Sequence, residues 1–122
     1  MMQRREGDAE TLWTALLDLF TDYLTPAHLD QIYAGCTLAS LTGHASRADQ
    51  LAKQGYERAL DAAVNEMARG QGTIDKTKLH AALTLATGSI TTATACASPE
   101  AKVTVLNAAH TAVMALLTQA RA

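Results

Sequence analysis

Apolar residues recur early in the chain at spacings of one, three and four: Leu12, Trp13, Leu16, Leu17, Phe20, Tyr23 and Leu24. That period gathers them on one wide face of a helix. Asp8 is a good N-cap, so the helix is expected to run from there to about Leu24, behind a polar tail over residues 1–7. Thr25-Pro26 then closes it and opens a short helix, because proline at a first helical position gives up only an N–H that the helix leaves unbonded. Gly35 and Gly43 bracket a further short segment with Cys36, Leu38 and Leu41.

Ser46-Arg47-Ala48-Asp49 has the form of a capping box with aspartate in the usual place of glutamate. From it a long amphipathic helix is expected to reach Arg69, stopped by Gly70-Gln71-Gly72. Leu51, Ala52, Gly55, Tyr56, Ala59, Leu60, Ala63, Val64 and Met67 make its apolar face; Gln50, Lys53, Gln54, Glu57, Arg58, Asp61 and Glu66 make its wet one.

The last two helices follow another rule. Residues 79–98 and 103–120 contain no Asp, Glu, Lys or Arg, and Ser98-Pro99-Glu100 between them supplies a cap, an N1 proline and a first-turn acid. A helix on the surface of a monomer normally carries a charged face, so an uncharged pair implies burial on more than one side. A membrane hairpin would provide that burial, but threonines crowd the first stretch, and His80, His110 and Asn107 add further polarity. A second copy of the chain is the better cover. Two helices from each protomer would make a four-helix interface, with small residues permitting close approach.

The expectation is therefore an all-α, antiparallel bundle of about five to six helices in one domain over residues 8–122, a homodimer through its last two helices. Composition supports a folded domain, with 48% hydrophobic residues. Ten basic against twelve acidic side chains leave no surplus to hold a phosphate backbone. Two cysteines and no apolar leader suit a reducing cytoplasm.

Candidate chemistry is sparse. Gly70-Gln71-Gly72-Thr73 with Lys76-Thr77 superficially resembles a phosphate loop, but it lacks the spacing and the preceding strand, and reads as a helix end. His28, His44, His80 and His110 offer no pair at i, i+4, and His28 with Asp30 is too few ligands for a metal. No metal, cofactor or catalytic trio is expected, and so no enzyme. Cys36, after Gly35 at a helix start, is either a small core residue or a thiol activated for redox or electrophile sensing. Trp13, Phe20, Tyr23, Tyr33 and Tyr56 either line a pocket for an amphipathic ligand or pack as ordinary core.

Tyr23-Leu24-Thr25-Pro26-Ala27-His28, followed by Gly35-Cys36-Thr37-Leu38-Ala39-Ser40-Leu41, resembles the C-terminal domain of TetR/AcrR-family transcriptional regulators. In one large branch of that family a helix ends in a Tyr-Leu-Ser-Pro-like step, then come Gly-Cys-(Pro or Leu)-Leu-Ala-x-Leu and a long amphipathic helix. The likeness runs from about Asp8 to Ala120, with Thr37 where proline or leucine is commoner. The family's helix-turn-helix head has no counterpart here, so the chain reads as an excised regulatory domain or a naturally headless relative, touching DNA only through that missing head.

The resemblance implies a small-molecule-sensing and dimerisation module of a repressor. It places the ligand pocket at Trp13, Phe20, Tyr33, Leu38, Leu41, Tyr56 and Leu60, with His80 as polar anchor for a small apolar or amphipathic molecule. The dimer face it implies is Leu83, Thr87, Ile90, Thr94, Val103, Leu106, His110, Val113 and Leu117. Some relatives with Gly-Cys at this place answer electrophiles through the cysteine, which singles out Cys36. The rivals are a headless partner that heterodimerises with an intact regulator, and a helical dimer with no ligand.

Overall fold

A computed structural model describes residues 2–29 and 49–121, with side chains over 9–27 and 49–121. The regular structure there is entirely helical, in the order α1 (Met2–Tyr23), α2 (Pro26–Leu29), α3 (Gln50–Ala68), α4 (Lys76–Ala95) and α5 (Pro99–Arg121). Four long helices and one short turn thus stand among the described residues, where five to six helices were expected. The short segment expected between Gly35 and Gly43 lies outside them.

Two helix starts depart from the sequence reading. Residues 2–8 belong to α1 rather than to a polar tail, and Asp8 sits inside the helix rather than capping it. Gln3, Arg4, Arg5 and Glu6 all have good helix propensity, and extending an existing helix costs far less than nucleating one. For α3 the N-cap is Asp49, not Ser46: its Oδ1 accepts from Ala52 N–H at 3.0 Å, and the helix begins at Gln50. The aspartate acts as the cap itself.

α4 and α5 form an antiparallel hairpin, and theirs is the most extensive contact among the described helices. Its closed end is the turn over 96–98, where Ser98 Oγ accepts from Ala101 N–H at 3.1 Å and Lys102 Nζ donates to the carbonyls of Ala93 (3.1 Å) and Thr94 (3.4 Å). That ammonium closes acceptors that the last turn of α4 leaves open. At the other end, Asp75 N–H donates to Ala120 O at 2.9 Å while its carboxylate caps Thr77 N–H.

Between the two helices lies a stripe of large and small side chains in alternation. Leu79, Ala82, Ala86, Ile90 and Ala93 face Leu106, Ala109, Val113, Leu117 and Ala120, all buried. Alanine opposite leucine lets the axes approach closely.

α1 lays Trp13, Leu16 and Phe20 on this hairpin, and Leu24 just beyond its end joins the same core. It is tied along its length to α5. Thr21 Oγ1 and His110 Nε2 are hydrogen-bonded at 3.1 Å, Arg121 pairs with Glu10, and the Arg121 guanidinium lies 4.6 Å from the centre of the Trp13 ring. α3 rests on α4 more lightly than its apolar face predicts. Val64 is its one buried residue, while Leu51 is 72% exposed and Ala52 and Ala59 lie open.

After α3 the chain turns through Gly70 and Gly72, at φ 76° and 73°. Both lie where an L side chain is disfavoured. A Cβ at Gly70 would in addition run into Leu12 Cδ1, whereas one at Gly72 would meet nothing. Urea unfolding should therefore show Gly72→Ala losing about 1 kcal/mol and Gly70→Ala about 1–2 kcal/mol, the excess reporting the displaced leucine.

Candidate functional site

α1 and α3 both lie on one side of the hairpin, and between them they leave an open groove of about 510 Å³. Leu12, Ala15, Leu16 and Leu19 form its α1 wall, Ala63 and Met67 its α3 wall, and Leu83 of α4 reaches it from beneath. Glu66, Arg69 and Gln71 are its polar lining. Leu12 and Leu19 remain 39% and 56% exposed here. Glu66 and Arg69 form a salt bridge at 2.6 Å.

A second, polar groove of about 300 Å³ lies between α3 and the start of α4, lined by Asp61, Val64, Asn65, Lys76, Thr77 and His80. Lys76 Nζ donates to Asn65 Oδ1 there at 3.2 Å. His80 faces this groove, so it is not the polar anchor of the apolar one. Among the described residues no three of His, Cys, Asp and Glu gather as metal ligands would.

The opposite side of the hairpin is an uncharged surface among the described residues. Helix periodicity places Ala81, Leu85 and Thr92 of α4 beside Val105, Ala108, Ala112 and Leu116 of α5, away from the residues that meet α1 and α3. No charged side chain interrupts that set. Most of its members are exposed; Leu85, Val105 and Leu116 are half-buried.

Six threonines of these helices turn their hydroxyls inward along the backbone. Thr87 donates to Leu83 O (3.0 Å), Thr92 to Gly88 O (2.9 Å), Thr94 to Ile90 O (2.8 Å), Thr104 to Glu100 O (2.9 Å) and Thr118 to Met114 O (2.9 Å). Each hydroxyl is thereby satisfied within its own helix. Threonines on the outer face can then present methyl groups without stranding a donor.

The residues singled out from sequence scatter. Trp13 and Phe20 belong to the core under α1, not to a groove wall. Tyr56 and Leu60 are half-buried on α3 and line neither groove; Tyr33, Cys36, Leu38 and Leu41 lie outside the described residues. The other thiol, Cys96, is half-buried with its Sγ 3.4 Å from Thr92 O.

The expected dimer face needs the larger correction. Ile90, Leu106, Val113 and Leu117 are at most 1% exposed within the single chain, so they hold α4 to α5 and have nothing left to offer a second copy. Leu83 lines the apolar groove, Thr87 is half-buried, and His110 is bonded to Thr21. Only Thr94 and Val103 of that set are exposed. On helices apolar nearly all round, the stripe that meets the other helix is set by packing, large side chains beside alanines, and the period alone does not pick it out. The groove residues Leu12, Leu19, Ala63 and Met67 went unremarked as ligand contacts, though Leu12 and Leu19 stand seven residues apart, the spacing of one helix edge.

Comparison of the chain with protein-family models, curated proteins and solved structures finds no match.

Proposed function

We propose that this chain is a ligand-sensing and dimerisation module like the C-terminal half of a TetR/AcrR-family repressor, acting in the cytoplasm as a homodimer through the outer face of the α4–α5 hairpin. The supporting observation is that face: two long helices side by side, uncharged from Leu79 to Ala95 and from Val103 to Ala120, with the Thr92 hydroxyl folded back onto the Gly88 carbonyl. At about 1.5 Å per residue and 8–10 Å between axes it offers on the order of 600 Å² per protomer, near the ~800 Å² per partner of a standard interface. Alanine and threonine along it allow a second hairpin to approach closely.

A lipid bilayer is the competing cover. Among the described residues α5 alone is long and apolar enough to span one, with 28% of its apolar window buried in the chain. α4 shares the face but not that property, so insertion would tear α5 from the partner it packs against most. A second copy covers both helices without unpacking either.

Sensing requires a ligand that favours one dimer arrangement over another. Leu83 lines the groove and Leu85 stands on the outer face two residues further along α4. A ligand that displaces Leu83 therefore acts on the same helix that meets the partner. DNA would be reached only through a head that lies outside these residues. Sedimentation equilibrium in detergent-free buffer should give twice the chain mass across a wide concentration range. A monodisperse monomer overturns the reading.

A further inference from the structure

The apolar groove also constrains what it takes. This inference rests on the sensing reading and names its ligand class. Leu12 and Leu19 are two helical turns apart, so the groove runs about 10 Å along α1. Leu12 marks one end, against Gly70 and hence beside Gln71 and the Glu66–Arg69 pair. Away from that end the described residues of the walls are Leu19, Ala63 and Leu83 and their apolar neighbours.

The charges at the polar end cancel. Arg69 Nη2 meets Glu66 Oε1 at 2.6 Å, in a pair open to solvent, and the two leave the described lining with no net charge. A carboxylate head would have to share Arg69 with Glu66 and lie beside that glutamate; an ammonium head meets the mirror problem. Either ion finds its counter-charge already shared within that solvent-screened pair, so a charged head gains little there. Gln71 offers both a donor and an acceptor, which suits a head that hydrogen-bonds without being charged.

We infer that the groove binds an elongated, uncharged amphiphile, its chain lying along Leu19, Ala63 and Leu83 and its hydrogen-bonding head at Gln71. Ten ångströms correspond to a chain of roughly eight carbons at about 1.25 Å per extended bond. The groove volume lies within the roughly 300–1,000 Å³ usual for small-molecule sites.

The test uses three probes of equal chain length, octanamide, octanoate and octylammonium, followed through the leucine and methionine methyl resonances of the whole chain. Octanamide is expected to shift the methyls of Leu12, Leu19, Met67 and Leu83 and to bind at least about tenfold tighter than either ion. No shift at those methyls, or an ion that binds as tightly as the amide, overturns the assignment. Leu83→Trp should fill the groove and lower octanamide affinity at least about tenfold. Ala63→Leu gives the same readout should the tryptophan variant fail to fold, and unchanged affinity in the folded variants overturns the location. Sedimentation of the same samples keeps the two readings apart. A dimer indifferent to all three probes removes the ligand class alone, and a monomer that binds octanamide at the groove supports it while removing the dimer.

Discussion

Leu117→Ala is expected to lose about 3 kcal/mol of stability and to lower the melting temperature by roughly 10 °C. Leu117 is fully buried near the open end of the α4–α5 hairpin, in the same stripe as Leu79, Val113 and Ala120. Its neighbours in that stripe include alanines, which are already at their smallest and leave no side chain to swing into the space. The cavity therefore persists, and cavity volume adds to the transfer energy of the lost atoms. Chemical denaturation gives the number directly. A loss below about 1 kcal/mol would mean that the hairpin can collapse around the gap, contrary to packing through short side chains. The same residue was expected on a dimer face, and the two roles predict different outcomes. A core role lowers stability at every protein concentration, whereas an interface role makes the loss concentration-dependent.

How much of this was readable beforehand depended on contrast. The hairpin's limits were legible because Gly70-Gln71-Gly72 and Ser98-Pro99 are strong punctuation, and the structure places its helices at Lys76–Ala95 and Pro99–Arg121. The all-α class followed from alanine and leucine without any alternation of period two. Orientation was not legible. On α1, Asp18 and Asp22 mark the wet side, and the buried set Trp13, Leu16 and Phe20 lies away from them.

Over residues 79–95 of α4 and 103–120 of α5 no charge marks a wet side, so the helical period alone does not say which apolar stripe turns inward. Packing decides it. Ile90, Leu106, Val113 and Leu117 went inside, and alanine and threonine took most of the outside. The apolar groove failed for a related reason: it lies at the edge of α1's wide face, where Leu12 and Leu19 look like the margin of a core. The aromatic residues that suggested a pocket were large enough to be claimed by the core itself.

Ala112→Glu is the substitution expected to act most strongly on assembly. Ala112 is exposed on the outer face of α5, next in sequence to Val113, which is wholly buried. A carboxylate there has solvent in the isolated protomer, and glutamate is a good helix former, so circular dichroism should show full helicity. In a two-fold dimer the change enters twice, and the outer face provides no cation on its central turns to meet it. Each glutamate would be desolvated unpaired, or would hold the hairpins apart. The dissociation constant should rise at least about a hundredfold, equivalent to roughly 2.7 kcal/mol, seen in sedimentation as monomer at concentrations where the parent chain is dimeric. Ala59→Glu, on the exposed side of α3, is the matched control and should leave the dimer intact. A dimer that survives Ala112→Glu unchanged would place the contact elsewhere on the molecule. A dimer lost in both variants would point instead to net charge acting at long range, which added salt would reverse.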